Sequence, residues 1–265
     1  MITIELIAQL LMLGCIVGVL AGLLGIGGGL IVVPALLYLL PQVGIDPVDA
    51  MQFALGTSLA TIILTSGSSA LHHLKFGNVE IFAVKFLLPG IVIGGFCGAT
   101  VAELIPGQYL PRIFGVIVFL LALQMYRSIK IVNQYPMPNA MFTTLSGVII
   151  GTIASLAGIG GGALTVPFLN RYGVEMKKAV GSSSVCGCII AISGMIGFIW
   201  HGAHIDVLPE YSLGYIYLPA LLFVSCTSML TTRIGVRLAT KLPTTMLKKV
   251  FAVFLMLVSI NMLFH

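Results

Sequence analysis

Four glycines fall within five positions at Gly25-Ile26-Gly27-Gly28-Gly29, and the same cluster returns at Gly158-Ile159-Gly160-Gly161-Gly162. Pro34 and Pro167 follow at matching distances, so clusters and prolines share one offset of 133 residues. A helix does not run smoothly through such a cluster, because each glycine costs about 1 kcal/mol relative to alanine. The surroundings are membrane-grade: the chain is 58% hydrophobic and 8% charged, with a mean hydropathy of +1.13. Inside a bilayer, a broken helix leaves backbone N–H and C=O groups without partners. That is tolerated only where protein covers them or where they line a cavity. One break in each half of a chain is a pointer to a solute-binding site of the kind transporters build.

The low charge decides the fold class. Soluble domains carry about 25% charged residues, and a soluble fold of 265 residues could not hide this much apolar surface. The long continuous apolar runs do not fit the short alternating strands of a β-barrel. The chain therefore reads as an all-α integral membrane protein. Its formal net charge of +5 forms no basic stripe, which excludes nucleic acid as a partner. Cys15, Cys97, Cys186, Cys188 and Cys226 all lie in apolar runs and read as buried small hydrophobes. The start of the chain carries no basic region, so the first apolar run is expected to stay in the mature protein.

Apolar runs place spans near 4–24, 50–74, 81–102 and 109–126 in a first half. A second half has them near 141–157, 179–200, 213–230 and 246–263. Runs of about 20 residues can cross a ~30 Å hydrocarbon core. The short arm at 30–40 reaches only about 16 Å, and its counterpart ending near Leu169 is also too short to cross. The expected architecture is one membrane domain over 1–265, with repeat one at 1–126, a connector at 127–139 and repeat two at 140–265. That gives about eight transmembrane segments in two inverted repeats, each with a glycine-broken or re-entrant helix.

The duplication extends beyond the glycines. Gly56-Thr57-Ser58 returns as Gly181-Ser182-Ser183, Gly77 as Gly202, and Leu88-Pro89 as Leu218-Pro219. Matching loops carry opposite charge bias. Lys75 and Lys85 face Asp206 and Glu210 in the second half, and Asp46 and Asp49 face Arg171, Lys177 and Lys178. Opposite bias is expected of inverted repeats and places 171–178 and 233–249 in the cytoplasm. Inversion needs an odd number of crossings per half. A glycine cluster at the tip of a chain that turns back supplies it, and puts Lys130 and Lys178 on one face.

Successive glycine N–H groups can form a concave nest for an anion, and a helix starting beyond it adds free donors and partial positive charge. Leu30 and Ala163 stand where such helices would start. The candidate substrate-binding residues are Gly25, Gly27, Gly28, Gly29, Thr57, Ser58, Gly158, Gly160, Gly161, Gly162, Ser182 and Ser183. Hydroxyls suit oxyanions at modest desolvation cost, although serine and threonine in membrane helices also bond their own backbone or glue helices together. His72, His73, His201 and His204 end spans, and Arg112 and Lys249 occupy equivalent helix starts. No metal-ligand spacing, catalytic residue set or cofactor motif is read. Gly158-x-Gly160-x-x-Ala163 lacks the strand and βαβ context of a dinucleotide site.

Gly22-Leu-Leu-Gly25-Ile-Gly27-Gly28-Gly29, Leu55-Gly56-Thr57-Ser58-Leu59-Ala60 and Gly77-Asn78-Val79 resemble the TauE/SafE sulfite exporter family, also called the toluenesulfonate uptake permeases. Ala157-Gly158-Ile-Gly160-Gly161-Gly162 and Gly181-Ser182-Ser183 resemble its second half. The resemblance spans essentially the whole chain. It implies a multi-pass transporter of a prokaryotic plasma membrane for sulfite, sulfoacetate or other sulfonates. Gly202-Ala203-His204 departs from the pattern that Gly77-Asn78-Val79 follows, which leaves the role of Asn78 open. The expected function is secondary transport of such an anion by alternating access, with the bilayer and a small anion as partners. A proton or sodium coupling ion, the direction of transport and the oligomeric state are left open. The alternative is an anion channel that uses the glycines as its filter. An enzyme is not expected.

Overall fold

The structure is a computed structural model and describes residues 3–24, 28–127, 135–205, 208–239 and 244–264. The first half holds α1 (Ile4–Leu24), α2 (Gly29–Leu39), α3 (Ala50–Lys75), α4 (Ile81–Leu104) and α5 (Leu110–Arg127). The second holds α6 (Ala140–Leu156), α7 (Gly162–Arg171), α8 (Met176–Gly202), α9 (Leu218–Ala239) and α10 (Thr244–Leu263). Two two-residue strands, β1 (Ser212–Leu213) and β2 (Ile216–Tyr217), form a small hairpin ahead of α9. Among the described residues, six helices are long and apolar enough to cross a membrane: α1, α3, α4, α5, α8 and α9. The chain is a multi-pass helical membrane protein.

The short arms begin at the last glycine of each cluster, one residue ahead of the expected starts. Each carries its proline inside the helix, Pro34 in α2 and Pro167 in α7. A proline there removes an N–H, so the carbonyls of Leu30 and Ala163 lose their helical donor. The helix α6 starts at a polar cap, where Asn139 accepts a hydrogen bond from the N–H of Phe142 at 3.0 Å.

Helix pairing follows the small residues, because close backbone approach holds helices together in lipid. Gly14 and Gly18 of α1 lie against Val224 and Ser228 of α9, and Gly235 of α9 lies against Val19. These two helices therefore run parallel. In the same way Gly90, Gly94 and Gly98 of α4 lie against Thr144, Val148 and Thr152 of α6. Exchanging the halves turns one pairing into the other. The helices α3 and α8 run antiparallel, with Gly67 against Cys188, Ser69 against Ser184 and His73 against Gly181. So do α5 and α10, with Gly115 against Ser259 and Leu263.

These pairings sort the charges. One end of the bundle collects Lys75, Lys85, Arg171, Lys177, Lys178, Arg233 and Arg237, with Glu80 and Glu175 among them; the other collects Asp46, Asp49, Glu103 and Glu210, with Arg112 among them. At the basic end Lys178 pairs with Glu80 at 3.0 Å. At the acidic end Asp49 has its pKa raised, first by burial and then by the charges of Asp46 and Glu103. The core is continuous along the half of α3 nearest the acidic end, where residues 50–62 are all buried.

Candidate functional site

The two glycine breaks meet beside α3. The arm α6 enters from the basic end, and the chain turns at 157–161. The arm α7 then returns to the basic end, where the N–H of Tyr135 donates to the Arg171 carbonyl at 3.1 Å. The arm α2 likewise ends at the acidic end, where the Tyr38 hydroxyl donates to Asn261 near the end of α10. Gly158 and Gly161 take left-handed backbone, with φ of +58° and +70°, which is why glycine is needed there. Gly161 caps α7, its carbonyl accepting from the N–H groups of Leu164 and Thr165. Gly28 does the same for Ile31 and Val32 at the start of α2.

The breaks leave no room for side chains. A Cβ on Gly29 would strike the Gly158 carbonyl, and one on Gly28 would strike Val17. A Cβ on Gly187 of α8 would strike the Gly160 carbonyl. Gly160 itself faces Ile62 and Ser66 of α3, the latter 3.3 Å from where its Cβ would stand. Gly162 is the first residue of α7. Gly25 and Gly27 lie outside the described residues.

Donors remain open at this junction. Among the described residues, none accepts a hydrogen bond from the N–H of Gly160, Gly161, Gly162 or Ala163. Gly160 and Gly161 are buried, so these amides differ from an ordinary solvated helix start. The Thr165 hydroxyl, fully buried and without a partner among the described residues, lies 3.5 Å from the Cβ position of Gly161. The buried Ser155 hydroxyl, one turn before the break, also has no partner among the described residues.

The hydroxyls that follow Gly56 and Gly181 are engaged elsewhere. Ser58 donates to the Gly158 carbonyl at 2.9 Å, which places it at the breaks. Thr57 accepts from the N–H of Tyr217 at 3.0 Å, and Ser182 accepts from the N–H of Glu80 at 2.8 Å. Ser183 donates to Val180 of its own helix at 2.8 Å. The glycine beside each acceptor makes room for the same joint: Gly56 lies against the Tyr215 carbonyl and Gly181 against that of Asn78. Each Gly-Thr/Ser pair thus seats the segment that leads into α4 or α9 of the opposite half. These inter-half joints were not read from the sequence. At Asn78 it is the backbone carbonyl that packs on Gly181, and Tyr215 supplies the equivalent carbonyl against Gly56.

Tyr215 seals the acidic end. Its ring packs edge-on to Phe53 and Phe198, with centroids at 5.3 and 6.4 Å. Burial raises its pKa, as do its hydrogen bond to Glu103 and the charges of Glu103 and Asp49.

With this geometry in hand, comparison with known sequences is decisive. Residues 10–262 match the family described as Sulfite exporter TauE/SafE. The chain belongs to the TauE/SafE family. A "Probable membrane transporter protein" of Haemophilus influenzae is 45% identical over 95% of this chain and 96% of its own length. Similar proteins of the same description occur in Methanocaldococcus jannaschii, 29% identical over 89% of this chain and 88% of its own, and in Bacillus subtilis, 28% identical over 77% and 82%. No solved structure matches this TauE/SafE chain. Within the family frame the chain is a membrane transporter.

Proposed function

We propose that this protein is a secondary transporter of a small sulfur-containing anion, such as sulfite, sulfoacetate or another organosulfonate. The anion binds where the two glycine breaks meet, and two inverted repeats rock around that site to expose it at alternate faces. The observation that carries the proposal is the run of amides from Gly160 to Ala163, buried at Gly160 and Gly161, that find no acceptor among the described residues, beside a Thr165 hydroxyl equally without a partner among them. Amides at a helix start and a neutral hydroxyl suit an anion that must bind and then leave, since they supply donors without a fixed opposite charge. Gly28 and Gly29 contribute to the site from the first half, and Gly158, Gly160, Gly161 and Gly162 from the second; Gly25 and Gly27 belong to the same candidate set and lie outside the described residues. Of the hydroxyl candidates Ser58 borders it through Gly158, while Thr57 and Ser182 hold the inter-half joints and Ser183 bonds its own helix.

Inversion is supported by the exchange of pairings and by the segregation of charge between the ends. In this arrangement α1–α2 and α6–α7 are re-entrant pairs, the first entering and leaving at the acidic end and the second at the basic end, and α3, α4, α5, α8, α9 and α10 cross. The basic end faces the cytoplasm. The name of the family and of the Haemophilus relative support transport, and the family name supports a sulfur oxyanion.

The test is a thermal-shift panel on purified protein with sulfite, thiosulfate, sulfate, sulfoacetate, taurine and acetate. A sulfur anion at a hundred times its Kd should stabilise the fold by about 2.7 kcal/mol, and Gly28→Ala/Gly161→Ala should abolish the shift. No shift with any anion, in a wild type that melts cooperatively, would refute the anion site.

A further inference from the structure

The exchange symmetry of the bundle fails at one interface. The helices α4 and α8 are in close contact: a Cβ on Gly95 would strike the Ser193 hydroxyl, and one on Gly197 would lie 2.6 Å from the Ala99 side chain. Exchanging the halves converts this pair into α9 and α3, with Ser225 and Met229 in place of Gly95 and Ala99, and Ser68 and His72 in place of Ser193 and Gly197. There the helices stand apart and enclose a chamber of about 650 Å³ that opens toward the basic end. Ser225, whose counterpart is in tight contact, is buried with its hydroxyl unpartnered. The equivalent interface between α4 and α8 packs shut, so the space breaks the exchange symmetry of the bundle.

The chemistry of the chamber is one-sided. Arg233 and Arg237 line it, and no carboxylate does so among the described residues. Thr65 and Thr232 turn their hydroxyls to carbonyls of their own helices. Ser66 and His73 line the chamber, and the buried Nδ1 atom of His73 has no partner among the described residues. Ser66 also borders Gly160, so the inner end of the chamber reaches the second break.

We infer that this chamber is an anion-binding vestibule, in which a small oxyanion is held by Arg233 on α9 and by Ser66 on α3, with His73 in its wall, between the basic end and the glycine breaks. The inference rests on the proposed anion site at the breaks and adds an outer station to it. Guanidinium bonds to an oxyanion are charge-assisted, while the uncharged serine and amide donors further in let the ion pass without a second fixed charge.

The experiment uses the full chain with its five native cysteines replaced and a single Ser69→Cys within the chamber, with Ser184→Cys as a second reporter. Rates of modification by an anionic and a cationic methanethiosulfonate of similar size are measured, with sulfate and sulfoacetate as competitors. Relative to a Val48→Cys reporter at the acidic end, the ratio of anionic to cationic rate should be higher in the chamber. It should fall about tenfold in Arg233→Gln, the effect of one partly screened charge, and persist in Arg233→Lys. Either competitor should slow the anionic reagent. A ratio unchanged by Arg233→Gln at both reporters would overturn the vestibule. Charge preference at the reporters in a protein that no anion stabilises against heat would leave the vestibule standing and refute the site at the breaks.

Discussion

The Ser58 hydroxyl donates to the Gly158 carbonyl at 2.9 Å, and this bond ties the core helix of the first half to the broken helix of the second. Both residues are buried. Removing the donor leaves a carbonyl in a site that water does not reach. Ser58→Ala should therefore destabilise the protein by about 1–3 kcal/mol, read as a lowered Tm in detergent. An unchanged Tm would show that the carbonyl finds another donor.

The two joints at Thr57 and Ser182 make a sharper comparison. Each hydroxyl accepts a backbone N–H from the opposite half, whereas Ser183, next in sequence, bonds only within its own helix. Thr57→Val and Ser182→Ala should each cost about 1–3 kcal/mol by orphaning a backbone donor. Ser183→Ala should stay within about 0.5 kcal/mol, the usual range for a substitution that breaks no inter-element contact. Denaturation of the three variants side by side decides it. Equal losses at all three would mean that the joints contribute nothing particular.

Asp49 gives the acidic end a pH dependence. Its pKa is raised above the ordinary carboxylate value of 3.8, by burial first and then by Asp46 and Glu103. A raised carboxylate binds its proton more readily in the folded state, so its charge destabilises the fold at neutral pH. The penalty fades as pH falls through the raised value and is absent below 3.8. Asp49→Asn should thus raise Tm at pH 7, with the gain shrinking toward pH 4. A gain that grew on acidification would reverse the sign and contradict the assignment.

Orientation can be read by labelling. Cysteines introduced at Tyr135 and Lys178 should react with an impermeant maleimide from one side of the membrane, and one at Val48 from the other. Labelling of Tyr135 and Lys178 from opposite sides would break the inverted arrangement.

Most spans were legible because apolar runs and helix ends coincide: the expected 81–102 and 179–200 became α4 (Ile81–Leu104) and α8 (Met176–Gly202). The exception is α9, expected to end near Leu230 and instead running to Ala239. Arg233 and Arg237 ended the apolar run without ending the helix, since arginine is a good helix former whose stem lies along apolar surface. The second glycine break was legible as a break and both short arms were correctly placed, while residues 25–27 of the first cluster lie outside the described residues. The joints were not, for a physical reason. Asn78-Val79-Glu80 and Tyr215-Ile216-Tyr217 share no side-chain chemistry, because the contact runs through a carbonyl and an N–H that almost any residue provides. The chamber was hidden too, since it depends on one of two equivalent interfaces being open.

The most direct measurement is counterflow in proteoliposomes loaded with unlabelled sulfoacetate or sulfite and given the labelled anion outside. Saturable uptake that is accelerated by the same anion on the far side, and lost in Gly28→Ala/Gly161→Ala, is expected of a carrier with its site at the breaks. Flux that rises linearly with concentration and ignores the far side would contradict alternating access and favour a channel.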